Sequence, residues 1–416
     1  MCIFVHILSS RVHKLAERMS IEKLNKLKKK YKVNILWSWS RYNSYLNDPY
    51  GYYLKYIKHE KEQVKDSIWG VSGGVVHDII EDYYEGKLKY EDMLEEYNDK
   101  LFEMDTMELK YNRTNKDMND KIANKYENSI KHFLTHYNPI KSKVIVEKFV
   151  TIKVGKYIFQ GYIDFLHKDE NGNYIIEDFK TSTIYKGDKK ENEAGQLILY
   201  SQALIQKGIP LEKIKIRWNF LKYCDVDCEL TTKKKGEIQY KTKSCTRATW
   251  VKESEANIKR WLKKYGIENE LELTDMIETS IENNNLDNLP KEVQDKFKLR
   301  DCYVYIDLTK KLIDELNNKI INTLDEIEDK TKKVKKILSK INKSDYNEKK
   351  KLEKQIDKEF WTEIDKNKEY YFWNLCGYNR NQHKPWDEYL KEIDLLNGKD
   401  VELNTDDDDL SWLNDL

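Results

Sequence analysis

Gly161-Tyr-Ile-Asp164-Phe165, then Asn171-Gly172, then Tyr174-Ile-Ile-Glu177-Asp178-Phe179-Lys180-Thr-Ser182 is the stretch from which the fold follows. Residues 157–165 and 174–179 read as strands, and Asn-Gly is the favoured hairpin turn between antiparallel neighbours. Side chains alternate faces along a strand, so Ile176, Asp178 and Lys180 share one face while Glu177 and Phe179 point to the other. The hairpin brings Asp164, at the end of the first strand, back beside the second. Two carboxylates and one ammonium are therefore expected to converge.

Working outward, residues 144–154 read as a strand before this hairpin. A helix over 193–207 follows it, stopped by Gly208 and Pro210. Residues 214–224 read as a further strand and 227–250 as a hairpin. A mixed sheet crossed by a helix results, so the fold class is α/β or α+β and not all-helical. Upstream, the sequence predicts a charged helix over 20–32 and a helix capped by Ser40. Asp48-Pro49 restarts a helix, with the Asp as cap and the Pro at its first position. Ser72 is expected to precede an amphipathic helix through Tyr84, with Gly86 just past its end, and 90–137 reads as a third helical stretch.

After Val251 the chain is expected to return to helices. Apolar residues recur from Leu308 through Leu312, Leu316, Ile320, Leu324 and Ile327 to Val334, Leu338 and Ile341, which predicts a long amphipathic helix or helical hairpin used for packing. Phe360-Trp361 and 370–373 form an aromatic cluster, and the chain ends in four consecutive Asp followed by Leu410, Trp412, Leu413 and Leu416. The expected organisation is 1–37, an N-terminal extension and helix; 38–140, a helical region carrying His77; 141–250, the chemical core; 251–400, a C-terminal helical region; and 401–416, an acidic tail.

Composition restricts the classes of function. With 35% charged and 12% aromatic residues but only 15 Gly and 5 Pro among 416, the chain suits long charged helices with aromatic anchors. Lys plus Arg (74) balances Asp plus Glu (73), so a nucleic-acid surface has to be local and cannot be argued from net charge. No stretch approaches the ~20 apolar residues of a membrane span. The first residues lack the basic start of a signal peptide, and Met19 begins a more ordinary opening. Six scattered Cys point to a reducing compartment, and the cytoplasm of a bacterium or phage-infected cell fits.

Clustered hard oxygen ligands suit Mg²⁺, which activates water and neutralises charge on a phosphodiester under attack. A Lys beside them can orient that water or help deprotonate it, and stabilises the charged transition state. Taken alone, an Asp-x-Lys is more often a solvated strand end. Gln196 and Tyr200, one turn apart on the following helix, add weight because both face one point and the Gln interrupts an apolar run. His77 and Glu81 lie at i and i+4 of the upstream helix, and an imidazole beside carboxylates admits Mn²⁺ as well as Mg²⁺. A lone His there is more often structural. Cys224 and Cys228 have no further ligands in their context.

In this order and spacing the pieces resemble the RecB-like branch of the PD-(D/E)XK nuclease superfamily. They are Ser38-Trp-Ser-Arg-Tyr with Asp48-Pro-Tyr-Gly, then Gly-x-x-x-His77, Gly161-x-x-Asp164, Asp178-x-Lys180-Thr and Gln196-x-x-x-Tyr200. The resemblance implies a restriction-endonuclease-like core, a mixed sheet flanked by helices, with N- and C-terminal helical regions. It implies His77, Asp164, Asp178 and the Phe179 carbonyl as metal ligands and Lys180 as the catalytic lysine. Gln196 and Tyr200 would position Lys180 and the DNA backbone, with Glu81 and Glu147 in weaker support. Many relatives hold an iron–sulfur cluster on four Cys. Here Asp48 occupies the first position and only Cys376 remains near the C-terminus, so no cluster is expected.

The expected function is that of a Mg²⁺- or Mn²⁺-dependent deoxyribonuclease, an exonuclease of replication, recombination or repair acting on single- or double-stranded DNA ends. A structure-specific endonuclease and a DNA-binding replisome interaction protein are the alternatives. The Lys-rich stretches 213–222 and 233–243 either line a DNA channel or form solvated faces. Residues 405–416 suit docking on a basic protein partner or folding back as a DNA mimic. No G-x-x-x-x-G-K-[ST] loop is present, so ATP-driven unwinding would belong to another protein.

Overall fold

The computed structural model describes residues 19–61, 68–112, 115–232, 237–341 and 344–360. The extension 1–18, the aromatic cluster from Trp361 onward, Cys376 and the acidic tail lie outside the described residues.

The N-terminal part is helical: α1 (Ile21–Tyr31), α2 (Trp39–Asn47), α3 (Pro49–Tyr53), α4 (Ile68–Tyr84), α5 (Met93–Thr106) and α6 (Lys116–His136). Asp48 caps α3 as expected, its side chain accepting from Gly51 N with Pro49 at the first position. Three expectations need correction. Ser38, not Ser40, caps α2, because its Oγ accepts from Arg41 N at 3.1 Å. Helix α4 begins at Ile68, which leaves Ser72 fully buried inside it. The stretch 90–137 is two helices, broken beyond Thr106 where Glu108 takes a left-handed conformation (φ 54°).

Among the described residues the sheet has six strands: β1 (Ile145–Val154), β2 (Tyr157–Lys168), β3 (Tyr174–Lys180), β4 (Ile214–Glu229), β5 (Tyr240–Thr246) and β6 (Phe297–Ile306). β1, β2 and β3 form an antiparallel meander, and β4 joins β3 in parallel. A parallel neighbour needs a crossover, which α7 (Gly187–Glu193) and α8 (Gly195–Ile205) supply. The β2–β3 turn is longer than a two-residue hairpin. Asp169 Oδ1 accepts from the backbone N–H groups of Asn171 and Asn173, and Gly172 takes φ +76° at the position that favours glycine.

The main correction is β6, which falls in the region expected to be wholly helical. β4 is one 16-residue strand; it pairs with β3 over 214–220, with β5 over 223–229, and with β6 along both parts of its length. The expected 227–250 hairpin is the antiparallel pairing of the end of β4 with β5, Asp227 opposite Thr242 and Glu229 opposite Tyr240, but its last residues are a 3-10 turn (Arg247–Thr249) leading into α9 (Trp250–Tyr265). α10 (Glu270–Asn283) and α11 (Lys291–Gln294) precede β6, and α12 (Lys310–Ile341) and α13 (Tyr346–Phe360) follow it.

Three apolar clusters follow from this layering. One face of β1–β4 packs on α2, α3, α8, α12 and α13, with Ile176, Trp218 and Phe220 in its middle. The opposite face packs on α4, α5 and α6 around Phe165, Phe179 and Leu221. The far half of β4, with β5 and β6, packs on α9, α10 and α11. The 32-residue α12 buries Ile313, Ile320, Leu324, Ile327 and Val334, which is the packing use its periodicity predicts.

Candidate functional site

β2 and β3 stop pairing at Phe165 opposite Glu177, so Asp164 and Asp178 are the next two residues, just beyond the ladder. Both stay close without backbone bonds between them. Lys180, two residues along the same face, reaches back so that its Nζ lies 2.6 Å from Asp178 Oδ2. His77 arrives from α4. Its Nδ1 lies 3.7 Å from Asp164 Oδ2 and its Nε2 lies 2.9 Å from the Phe179 carbonyl oxygen. That carbonyl is fixed because the Phe179 ring is buried edge-on against Phe165, with centroids 4.6 Å apart.

Helix α8 closes the site from the other face of the sheet. Gln196 Nε2 donates to Tyr200 Oη at 3.5 Å, a long contact that joins the two residues one turn apart. The approach of α8 depends on two glycines. A β-carbon on Gly161 would stand 2.5 Å from the Tyr200 hydroxyl, and one on Gly195 would run into the Trp39 ring. The Gly161-x-x-Asp164 spacing and the Trp of Ser38-Trp-Ser-Arg therefore have steric causes.

The electrostatics are those of crowded like charges. Burial pushes the Asp164 carboxyl well above the ordinary range, and the adjacent Asp178 carboxylate adds to the effect. Burial opposes a charge on Lys180, but Asp178 more than offsets it and holds the ammonium above the ordinary lysine value. Burial lowers His77, favouring the neutral imidazole that binds metals. Glu147 faces Asp164, because Val146 pairs with Phe165 and Lys148 with Ile163. It sits there in a left-handed conformation (φ 44°), a strain of order 1–3 kcal/mol for a non-glycine residue, and its charge raises Asp164 further.

Among the described residues no group of three or more His, Cys, Asp and Glu side chains stands open for a metal ion. The reason is local: Asp178 is paired with Lys180 and the imidazole leans on the Phe179 carbonyl. The donor set nevertheless fits a hard divalent cation. Two carboxylates, an imidazole and a backbone carbonyl brought to one place are the hard oxygen donors and the nitrogen donor that such a cation takes. The repulsion between Asp164 and Asp178 is what a dication relieves.

Other candidates stand apart from this centre. Cys224 and Cys228 are buried on β4, and burial raises their thiols to about 12 and about 11, so they are inert apolar packing. On the opposite face of β3, Glu177 is fully buried and receives two hydrogen bonds from Arg217 and one from Asn219 at 3.1 Å. Arg217 is itself covered by the Tyr303 ring, 3.7 Å from guanidinium to centroid. Alternation places Glu177 on that face, but its partners come from β4 and, through His167, from β2 and depend on register, which local sequence does not show.

A search of curated proteins found no match. A family model described as the PD-(D/E)XK nuclease superfamily matches residues 36–393. That span contains the helical segment of His77, the strand pair of Asp164, Asp178 and Lys180, and the crossover helix of Gln196 and Tyr200. The chain belongs to the PD-(D/E)XK nuclease superfamily.

Proposed function

We propose that this nuclease is a Mg²⁺- or Mn²⁺-dependent deoxyribonuclease of the RecB-like type, an exonuclease of DNA replication, recombination or repair in the cytoplasm of a bacterium or phage-infected cell. The observation that carries the reading is the convergence of Asp164, Asp178, Lys180 and His77 just beyond the β2–β3 ladder. Asp164, Asp178, His77 and the Phe179 carbonyl would hold the cation, which supplies charge neutralisation at the phosphate and acidifies water.

The remaining chemistry belongs to the side chains. Lys180 is held as an ammonium, so it acts as a charged donor that orients the attacking water and steadies the pentacoordinate phosphate. Gln196 and Tyr200 keep the strand and Lys180 in place from α8, and Glu147 sustains the acidic field at Asp164. In this reading residues 141–250 carry the chemistry, 38–140 contribute His77, and the described residues beyond 251 support the sheet.

End-labelled linear and covalently closed circular DNA, single- and double-stranded, tests the proposal with Mg²⁺ and with Mn²⁺. Linear DNA is expected to be degraded and circles left intact. Nicked or linearised circles would favour a structure-specific endonuclease. Binding without any cleavage would favour the replisome interaction protein.

A further inference from the structure

We propose that the cleft between α12 and residues 32–37 is a second nucleic-acid subsite, gripping the phosphates of a single strand outside the catalytic centre. The choice of a strand as ligand rests on the nuclease reading; the anionic character of the ligand does not. The cleft has a volume of about 590 Å³, and its charged lining is Lys32, Arg41, Lys156, Lys332 and Lys335 against the single carboxylate Glu328, with His59 beside them. Balanced net charge over the whole chain makes such a local excess informative.

The cations are not equally committed. Lys156 is answered by Asp325 and Glu328 at 2.8 and 3.1 Å, and Lys332 by Asp329 at 3.0 Å. Lys32, Arg41 and Lys335 make no ion pair among the described residues. Arg41 is built in: its guanidinium lies 4.8 Å from the Trp37 ring centroid and 4.6 Å from that of Tyr56. Its hydrogen bonds are two long ones, from Nε and Nη2 to the Tyr52 hydroxyl at 3.4 Å. Rings hold a guanidinium in place without cancelling its charge, so its outer N–H groups remain for an oxyanion.

Shape selects the class of anion. The cleft follows α12 from Ile327 to Leu338, eleven helical steps or ~16 Å at 1.5 Å per step. It is too small for a duplex, whose major groove alone is ~12 Å wide, but it accepts a strand. Tyr56, with Ile35 (37% exposed) and Leu338 (42% exposed), offers apolar surface beside the cations, the pairing that suits bases and sugars next to phosphates. The cleft is also tied rigidly to the catalytic strands. Trp37 donates to Ile158 O at 2.9 Å and accepts from Gln160 N at 2.7 Å, four residues before Asp164, and Trp39 packs on Gly195 beside Gln196.

The test uses the full chain in EDTA, fluorescence anisotropy with a fluorescein-labelled 20-nucleotide oligo-dT, and the double variant Lys32→Gln/Lys335→Gln. Both lysines are exposed and unpaired, so the fold is expected to hold, with circular dichroism as the check. Affinity should fall at least five-fold, and the slope of log K against log[salt] should shrink by about 1.4, two contacts at ~0.7 each. In a parallel assay with Mn²⁺ in place of EDTA, hydrolysis of bis(p-nitrophenyl) phosphate, too short to reach the cleft, should stay within two-fold. If the wild type fails to hydrolyse that ester or DNA, the nuclease reading falls while the anisotropy still reports on the cleft. Unchanged affinity and slope would overturn the proposal, as would an equal loss in the control Lys311→Gln. Displacement of the oligonucleotide by poly-glutamate at equal charge concentration would assign the cleft to an acidic peptide and also overturn it.

Discussion

The Tyr200 hydroxyl occupies space 2.5 Å from where a β-carbon on Gly161 would stand, so β2 and α8 touch at a point where only glycine fits. Gly161→Ala is expected to cost ~1–3 kcal/mol through overpacking and to lower cleavage at least ten-fold by displacing Tyr200. Tyr200→Ala empties the space, so in the double variant the Gly161→Ala stability penalty should largely vanish. Thermal denaturation of the four proteins measures the coupling. Additive losses would mean that the contact is not tight in solution.

Asp178→Ala and Lys180→Ala should each abolish cleavage, with losses of ~10²–10³ or more. Asp164→Asn should do the same while leaving stability in metal-free buffer unchanged or higher, because it removes one of two crowded like charges. Mn²⁺ at ~100 times its Kd should stabilise the wild type by about 2.7 kcal/mol and leave Asp178→Ala unmoved. Differential scanning fluorimetry with and without Mn²⁺ reads both. Full activity in Asp178→Ala would remove the assignment of this centre.

The Glu177–Arg217 pair is buried on both sides, so Arg217→Met alone should destabilise by ~3–5 kcal/mol by leaving a carboxylate unpaired. Glu177→Leu/Arg217→Met should recover most of that loss. Burial pushes the Glu177 carboxyl up, but the His167 ring and the Arg217 guanidinium more than reverse this and leave it below the ordinary value. Its contribution is therefore full above the unfolded pKa of about 4.5 and is lost as the pH falls through the lower folded value. Urea midpoints between pH 3 and 5 should fall less steeply in the double variant.

His132 provides a second acid-sensitive group. Burial, then His136 and Arg247, lower its pKa to about 3, and Arg247 Nη1 donates to its Nδ1 at 3.4 Å, which requires that nitrogen unprotonated. The unfolded chain takes up a proton near pH 6.5 and the folded chain does not, so stability declines as the pH falls from about 6.5 towards 3. By pH 5 the loss is ~2 kcal/mol. His132→Gln keeps an acceptor and cannot titrate, so it should flatten the pH 7-to-5 slope in urea unfolding. An identical slope in the variant would place the proton elsewhere.

Much of the centre was legible because its signals are short-range. Asp178 and Lys180 share a strand face by alternation, the Asn171-Gly172 turn returns Asp164 to them, and Gln196 and Tyr200 follow from the helical turn. The Asp48-Pro49 helix start was legible for the same reason. Two neighbouring serines, Ser38 and Ser40, offered the same hydroxyl for one cap, and only the direction of the backbone at Arg41 distinguishes them. β6 was not legible because its pattern is broken by Lys298, Arg300 and Asp301. Two of those charges are answered by distant partners, Arg300 bonding Asp227 on β4 and Asp301 bonding Arg247 in the turn after β5. Glu147, flagged only weakly from sequence, gains its place opposite Asp164 from register and a backbone strain that no propensity predicts.

The length of β4 has a consequence for how the protein is made. The catalytic residues and their crossover helix are all synthesised by Ile205, but the back of β4 receives Tyr303 and Tyr305 only when β6 emerges. At ~5–20 residues per second the interval from Phe220 to Ile306 lasts roughly 4–17 s. During that time Arg217 lacks its aromatic cover and a long strand edge stands open. A nascent nuclease of this design has its chemical groups in the chain well before the sheet that aligns them is complete. Ribosome-bound chains stalled before residue 297 should therefore be protease-sensitive throughout β3 and β4, and chains stalled well past residue 341 should not.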